Sequence, residues 1–269
     1  MPELPEVETV KNEIAPHIIG RIVSGVTLPW AGIVRDPAPE EFIKRITGKK
    51  IQALDRYGKY LVFTLTGAEF LVIHLKMTGA LIIGNFELPK HTRAVIHLDN
   101  DQNIYFRDPR KFGVLKLIKD PVEIKNKLGP EPLSDEFTPA IFVSRLKGHK
   151  APIKALLLDQ KFLAGVGNMY ADEALYAARI HPEKTADSLT KTESKKLYDA
   201  IRLVLQKGLA AKGASIVNYM RPDGSAGTAH LQFKVAHALN KTCGDCGGEV
   251  KRIVVRGRGT YYCPACQKK

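Results

Sequence analysis

The period of the apolar positions changes twice along the chain. Near the N-terminus Val7, Val10 and Ile14 recur at i, i+3 and i+7, the stripe of an amphipathic helix. Pro5 suits the first helical position, and Glu6 and Glu8 complement the positive end of the helix dipole. Pro16 and Gly20 are expected to close the helix. From about residue 20 to 118 the pattern shortens to β-branched or alternating runs separated by Gly, Asp or Asn: RIVSGVTL, KKIQAL, KYLVFTL, EFLVIHL, RAVIHLD and GVLKLI. PEEFIKRITG at 39–48 is the helical interruption. Strands so close together predict an antiparallel sandwich or barrel. KDPVEIKNKLGPEPLSDEFTP (119–139), with four prolines and a glycine, reads as an interdomain linker. Helical spacing then returns in TPAIFVSRLKG, APIKALLLDQ, NMYADEALYAARI and SLTKTESKKLYDAIRLVLQKGLAA. RPDGSAGTAH (221–230) has the Gly, Asp and Ser content of a loop. The expected organisation is a β-rich domain at 1–125, a linker at 126–138, a helical domain at 139–232 that contains the loop, and a terminal module at 233–269.

Composition narrows the classes of partner. A length of 269 residues fits about two domains. No apolar run approaches the roughly 20 residues of a membrane span, and the acidic start lacks the basic, apolar character of a signal peptide. A cytoplasmic protein that does not contact membranes is expected. The formal net charge of +13 and pI near 9.5 call for an anionic partner, of which nucleic acid is the commonest. A basic proteome gives the same surplus, so charge alone does not choose.

The cysteines are more informative. All four fall in CGDC (Cys243, Cys246) and CPAC (Cys263, Cys266), with 16 residues between the pairs. This is the spacing of a tetrahedral, all-cysteine zinc site. Disulfides are the alternative, and a cytosolic chain with no other cysteine disfavours them. GGEVKRIVVRGRGTYY between the knuckles predicts a β-hairpin with Gly257 and Gly259 at its turn. From 234 to 269 there are 8 Lys and Arg against 2 Asp and Glu. A zinc-stiffened hairpin presenting Arg258 between glycines suits a phosphate clamp, although a solvated basic face has the same composition.

Further candidate chemistry is scattered along the chain. LAGVGN (163–168) joins two helices, with Gly165 and Gly167 at the bend and Asn168 as the expected N-cap. Such a turn brings backbone N–H groups to a phosphate, and a plain helical hairpin also uses it. FRDPRKFG (106–113) sets arginines beside aromatics on a turn, as an intercalating wedge or a half-buried surface loop would. Met77 in HLKMTG is either a core residue or an exposed probe. At the N-terminus, loss of Met1 would leave Pro2 a secondary amine. An α-amino group titrates near 8 against about 10.4 for lysine, so much more of it is a nucleophile at neutral pH. Glu3 beside it is placed to shuttle protons. An incidental Met-Pro start is the plainer reading.

Taken in order, MPELPEVETV, the GKYL around Lys59, HLKMTG, DPRKFG, LGPEPL, LLLDQKFLAGVGNMYADE, DGSAGT and GRGTYYCPACQ resemble the bacterial formamidopyrimidine-DNA glycosylases over nearly the whole chain. LPE after Glu3 is similar to this branch rather than to its endonuclease VIII relatives. The resemblance implies an α+β protein, with an N-terminal two-sheet β-sandwich, flanking helices, and a C-terminal helix-two-turns-helix domain ending in a β-hairpin zinc finger. It implies a bifunctional base-excision-repair enzyme that removes oxidised purines, 8-oxoguanine and formamidopyrimidines, and cleaves the abasic strand by β,δ-elimination. Carried over by position, Pro2 is the nucleophile, Glu3 the acid/base residue, and Lys59 an active-site residue near the lesion's phosphate. Met77, Arg110 and Phe112 fill the gap left by the flipped nucleotide. Asn168 and Arg258 bind phosphates around the lesion, Arg258 counting with the catalytic set. His91 is a further DNA-contacting position, and Lys154 and Glu6 match pocket-lining ones. The cysteines hold one structural zinc ion. The implied partner is double-stranded DNA containing an oxidised base or an abasic site, bound by a monomer.

The chain departs from the family between DGSAGT and the first cysteine. AHLQFKVAHALNKT (229–242) stands where a Phe–Gln pair and a YGR or YGK stretch are usual. A shifted preference among oxidised bases is the expected consequence. Two other classes compete with the enzyme reading. A non-catalytic zinc-ribbon DNA-binding protein could keep the scaffold, and an N-terminal-proline tautomerase would explain Pro2 but not the charge or the ribbon.

Overall fold

The computed structural model describes residues 1–216, 218–238 and 240–269, leaving out Val217 and Leu239, the latter within the departing segment. The chain divides into two compact units. The first comprises Met1–Asn126 and Lys212–Thr228, the second Lys127–Ala211 and Ala229–Lys269.

The first unit is a two-sheet sandwich. Helix α1 (Leu4–Ile18) leads to strand β1 (Val23–Thr27), β2 (Val34–Asp36) and helix α2 (Pro39–Ile46). Seven strands follow: β3 (Ile51–Tyr57), β4 (Tyr60–Leu65), β5 (Glu69–His74), β6 (Ala80–Gly84), β7 (Thr92–Leu98), β8 (Asn103–Arg107) and β9 (Val114–Ile118). One sheet has the order β2-β9-β5-β4-β3 and the other β1-β7-β8-β6, all neighbours antiparallel except β2 and β9. Leu61, Phe63, Leu71, Ile73 and Leu115 from one sheet meet Ala94, Ile96, Ile104 and Phe106 from the other in one core. Val7, Val10, Ile14 and Ile18 of α1 join it. Each of these Val, Leu, Ile and Phe side chains contributes about 1.5–3 kcal/mol of burial, so both period-2 and period-3.6 patterns lead to one apolar interior.

Helix α1 differs from expectation at both ends. It begins with Glu3 as N-cap and Pro5 one position inside, and it runs through Pro16 to Ile18. A proline in the last turn removes one hydrogen bond, while burial of Ile14 and Ile18 on either side holds the helix together.

The second unit is helical, with a β-ribbon at its end. It contains α4 (Pro139–Leu146), α5 (Ile153–Leu158), α6 (Asn168–Ala177) and α7 (Lys191–Ala210), preceded in the first unit by the single turn α3 (Val122–Lys125). Thr190 and Glu193 form a capping box at the start of α7. Gly208 lets α7 lie against α6: a Cβ there would sit 2.6 Å from the Tyr170 ring. The ribbon pairs β10 (Lys251–Val255) with β11 (Arg258–Tyr262). Its turn is Arg256–Gly257, with φ of 45° and 76°, whereas Gly259 lies in β11 opposite Val254. Two residues with positive φ are what a tight hairpin needs, and this leaves Gly259 in the ladder rather than in the turn.

The segment Lys212–Thr228 departs from the expected boundaries, which put the 221–230 loop in the helical domain. It packs in the first unit because α1 supplies its polar partners. Ala214 N donates to Glu6 Oε1 at 2.8 Å, and the Arg221 guanidinium pairs with Glu13 at 2.7 Å.

Candidate active site, nucleic-acid interface and zinc centre

In the first unit the start of α1 carries the candidate nucleophile. Pro2 is buried, follows an exposed Met1 and directly precedes the N-cap. Glu3, 2% exposed, donates its backbone N–H to Glu6 Oε2 at 2.8 Å, and Glu6 is fully buried. Glu6 therefore binds the helix start with one oxygen and Ala214 with the other. The turn between β3 and β4 places Lys59, which is 5% exposed. Arg56 fixes that turn: Nη1 donates to Gly58 O at 2.8 Å while Nε pairs with Glu8 of α1 at 2.7 Å. Glu8 also takes Lys11, and the two cations hold its carboxyl below the ordinary range against the upward push of burial. His74 lies edge-on to Tyr60, with its Nδ1 accepting from Lys76 N at 2.9 Å. Burial, and then the charges of Lys76 and Lys59, hold its imidazole down to about 3. It is neutral at pH 7.

Met77, Arg110 and Phe112 meet at one exposed spot of the same unit. Met77 is 44% exposed and Phe112 45% exposed. Arg110 Nη1 lies 3.4 Å from Met77 Sδ, and its guanidinium carbon lies 4.7 Å from the centre of the Phe112 ring. Two large apolar groups kept in water by a shared cation form a surface that a hole in a base stack would cover. The organiser is Asp108, fully buried. Its carboxylate accepts from Phe112 N and Gly113 N, both at 2.7 Å, from Arg110 N at 3.2 Å, and from the Thr78 hydroxyl. Thr78 thereby ties the Met77 loop to the DPRKFG loop. His91 sits beside them, its carbonyl accepting from Asp108 N at 3.0 Å. Its imidazole lies below its ordinary value through desolvation and the nearby charges of Lys90, Arg93 and Arg107.

The second unit builds its site around a buried ion pair. Lys154 is 0% exposed, and its ammonium bonds the Asp172 carboxylate and, at 3.4 Å, Asn168 O. Burial pushes the Asp172 carboxyl up to about 7, with Lys154 and the Tyr261 N–H pulling against it. Tyr261 N donates to Asp172 Oδ2 at 3.1 Å, and Asn168 Nδ2 donates to Gly259 O at 2.9 Å. The start of α6 is thus fastened twice to β11, next to the exposed Arg258. Gln160 staples the preceding turn, donating to Leu158 O and Val166 O and accepting from Gly165 N. Glu173 holds the segment that follows, accepting from Lys234 N, Val235 N and Ala236 N at 2.8–3.0 Å.

The four cysteine sulfurs lie within 4.8 Å of one another. Cys243 and Cys266 are 3.8 Å apart and Cys246 and Cys263 3.4 Å apart, far beyond the roughly 2.05 Å of a disulfide. A zinc ion about 2.3 Å from four tetrahedral thiolates has sulfur–sulfur edges of about 3.8 Å, so the cage fits one. Gln267 braces it, accepting from Cys263 N and donating to Ile180 O, each at 2.9 Å.

Family comparisons agree with this geometry along the chain. Residues 1–115 match the formamidopyrimidine-DNA glycosylase N-terminal domain and 128–219 match the H2TH domain of the same glycosylases. Residues 240–269 match a zinc finger found in FPG and IleRS. The formamidopyrimidine-DNA glycosylase of Heliobacterium modesticaldum is 44% identical over 277 residues, covering 100% of both chains. The chain belongs to the formamidopyrimidine-DNA glycosylase family. Among solved structures, the MutM (FPG) protein of Thermus thermophilus matches with TM-score 0.91 and 41% identity over 100% of this chain and 99% of that one. A Lactococcus lactis FPG mutant bound to DNA containing Fapy-dG matches with TM-score 0.93 and 36% identity over 100% of both. As in that family, the four cysteines hold one structural zinc ion.

Within this glycosylase fold several residues sit elsewhere than expected. Lys154, expected to line the pocket among the DNA-binding residues, has no exposed area, and its ammonium is engaged by Asp172 and by Asn168 O. Asn168 is not the N-cap of α6; Gly167 is, because the Asn168 amide reaches across to Gly259. Asp108 organises the loops of the first unit, and Gln160, Asp172 and Glu173 those of the second; their types alone gave no signal. Asp before Pro, and Asp-Glu within a helix, are common on surfaces. Among the described residues of the departing segment, Ala229–Gln232 forms a 3-10 turn, and Val235 and Ala238 join Cys243 and Cys263 in the ribbon core.

Proposed function

We propose that this chain is a bifunctional DNA glycosylase and AP lyase that excises oxidised purines from duplex DNA as a monomer. The observation that carries the reading is the placement of Pro2 immediately ahead of the Glu3 N-cap, in the unit that also holds Lys59 and the Met77–Arg110–Phe112 cluster.

The chemistry requires loss of Met1, which is exposed, freeing the Pro2 nitrogen as a secondary amine. The positive end of α1 disfavours a further positive charge there and so favours the nucleophilic form. The amine lone pair attacks C1′ of the damaged nucleotide, the C1′–N bond breaks, and the base leaves with that electron pair and a proton. Opening of the C1′–O4′ bond, with Glu3 delivering a proton to O4′ and the amine losing its own, gives the iminium. The iminium acidifies the C2′ proton; its removal expels the 3′ phosphate, and a second elimination expels the 5′ phosphate. Water then releases Pro2. Lys59 and Arg258 neutralise phosphates around the lesion, as do the donors at the start of α6. Met77, Arg110 and Phe112 fill the place of the flipped nucleotide, whose unstacking costs a few kcal/mol.

Borohydride trapping tests the reading: the protein should become covalently linked to lesion duplex, and Pro2→Gly should abolish the link while retaining duplex affinity. Normal DNA binding with no trapped complex would favour a non-catalytic damaged-DNA-binding protein. A shifted lesion preference, motivated by the 229–242 segment, is tested by excision rates on 8-oxoguanine, formamidopyrimidine and oxidised-pyrimidine duplexes. An ordinary 8-oxoguanine-dominated profile refutes the shift.

A further inference from the structure

The second unit carries an open groove of about 360 Å³ between α4 and α7, lined by none of the residues assigned to DNA. Pro139, Ala140 and Val143 give it an apolar lining, beside Ser144, Lys147, Lys191 and Lys195. No acidic side chain lines it among the described residues. Residues 139–150 and 191–196 together hold six Lys and Arg against one Glu. That acid, Glu193, is occupied by Lys184 at 2.6 Å and by Thr190 N at 2.9 Å. Arg145 is turned away, onto the carbonyls of Lys161 and Phe162. Of the rim lysines only Lys195 has an ion pair among the described residues, with Asp199 at 3.3 Å. Both of those groups are well exposed, and such a pair contributes little.

We infer that this groove docks an acidic peptide segment of a partner protein, one that carries apolar side chains among its carboxylates. Charge complementarity selects an anion, and the apolar lining selects which kind. A DNA backbone would meet the lysines but offer Pro139, Ala140 and Val143 only the short C–H edge of its deoxyribose, with no side chain to reach into the groove. A peptide satisfies both surfaces at once. Its carboxylates meet the rim, which raises the encounter rate, and one buried apolar anchor sets the residence time.

The test uses the full-length protein and a fluorescein-labelled short peptide alternating Asp with Leu and Phe, read by fluorescence anisotropy at low salt. The triple variant Lys147→Glu, Lys191→Glu, Lys195→Glu should weaken binding by about tenfold or more. Val143→Asp alone should weaken it comparably, as should a peptide in which Ala replaces Leu and Phe. Retained cleavage of lesion duplex by both variants shows that they are folded. Unchanged peptide binding by the triple variant overturns the inference, as does equal binding of the Ala peptide. A triple variant that loses undamaged-duplex affinity but keeps the peptide makes the groove a DNA surface and overturns it as well.

Discussion

Replacing Asp172 by Asn is the sharpest perturbation of the second unit. The side chains are nearly isosteric, so packing changes little, but the fully buried Lys154 ammonium loses its counter-charge. The loss of one partner of a buried ion pair costs about 3–5 kcal/mol, because the remaining ammonium stays dry without the Asp172 carboxylate to balance it. The same change weakens the bond that fastens Tyr261 N to α6, so its consequence is local as well as global. The sole tryptophan, Trp30, lies in the first unit and does not report on this region. Hydrogen exchange of the Tyr261 amide does. At pH 8, where the Asp172 carboxyl is ionised, that amide should exchange roughly a few hundred to a few thousand times faster in Asp172→Asn, since each 1.4 kcal/mol is tenfold. The double variant Lys154→Met, Asp172→Asn removes both charges while the Asn oxygen can still accept from Tyr261 N, so it should recover most of the protection, while Asn168 loses the lysine that holds its carbonyl. An acceleration below about tenfold in the single variant, or a double variant as unprotected as the single, refutes the account of Lys154 as a buried, paired, positioning residue.

Three other outcomes follow from the first unit and the ribbon. Asp108→Ala leaves the buried Gly113 N–H without its acceptor and frees the Arg110 and Phe112 amides, so urea denaturation read at Trp30 should show a loss of about 2–4 kcal/mol. Excision should fall with it as Met77 and Phe112 lose their common geometry. His74 has a folded value depressed to about 3 from an unfolded value near 6.5, so its contribution is intact above pH 6.5 and drains away as pH falls toward 3. The slope is about 1.4 kcal/mol per pH unit, and it should be missing in His74→Asn, whose Oδ1 can still accept from Lys76 N. Arg258→Ala should lower the slope of log affinity against log salt by roughly one phosphate contact, with little change in unfolding; an unchanged slope would remove Arg258 from the phosphate contacts.

The chain alone determined what local chemistry and covalent spacing determine. Two CxxC pairs 16 residues apart allow little but a four-sulfur cage. Period-2 runs became the strands of a sandwich, because alternate burial is how a sheet covers one face. Period-3.6 runs became α4 through α7 for the corresponding reason. The motif order placed the chain among the glycosylases. Tertiary structure decided the choice of distant partners, which no local pattern encodes. Glu6 and Ala214 are 208 positions apart, and only the folding of Lys212–Thr228 onto α1 makes them a pair. Lys154 looks like any surface lysine until packing removes its water and leaves Asp172 as its counter-ion. Asp108 reads as an ordinary turn residue, yet the meeting of two loops makes its carboxylate the acceptor for four donors. A buried charge or polar group must find a partner in three dimensions, and register, burial and loop closure set which one it finds.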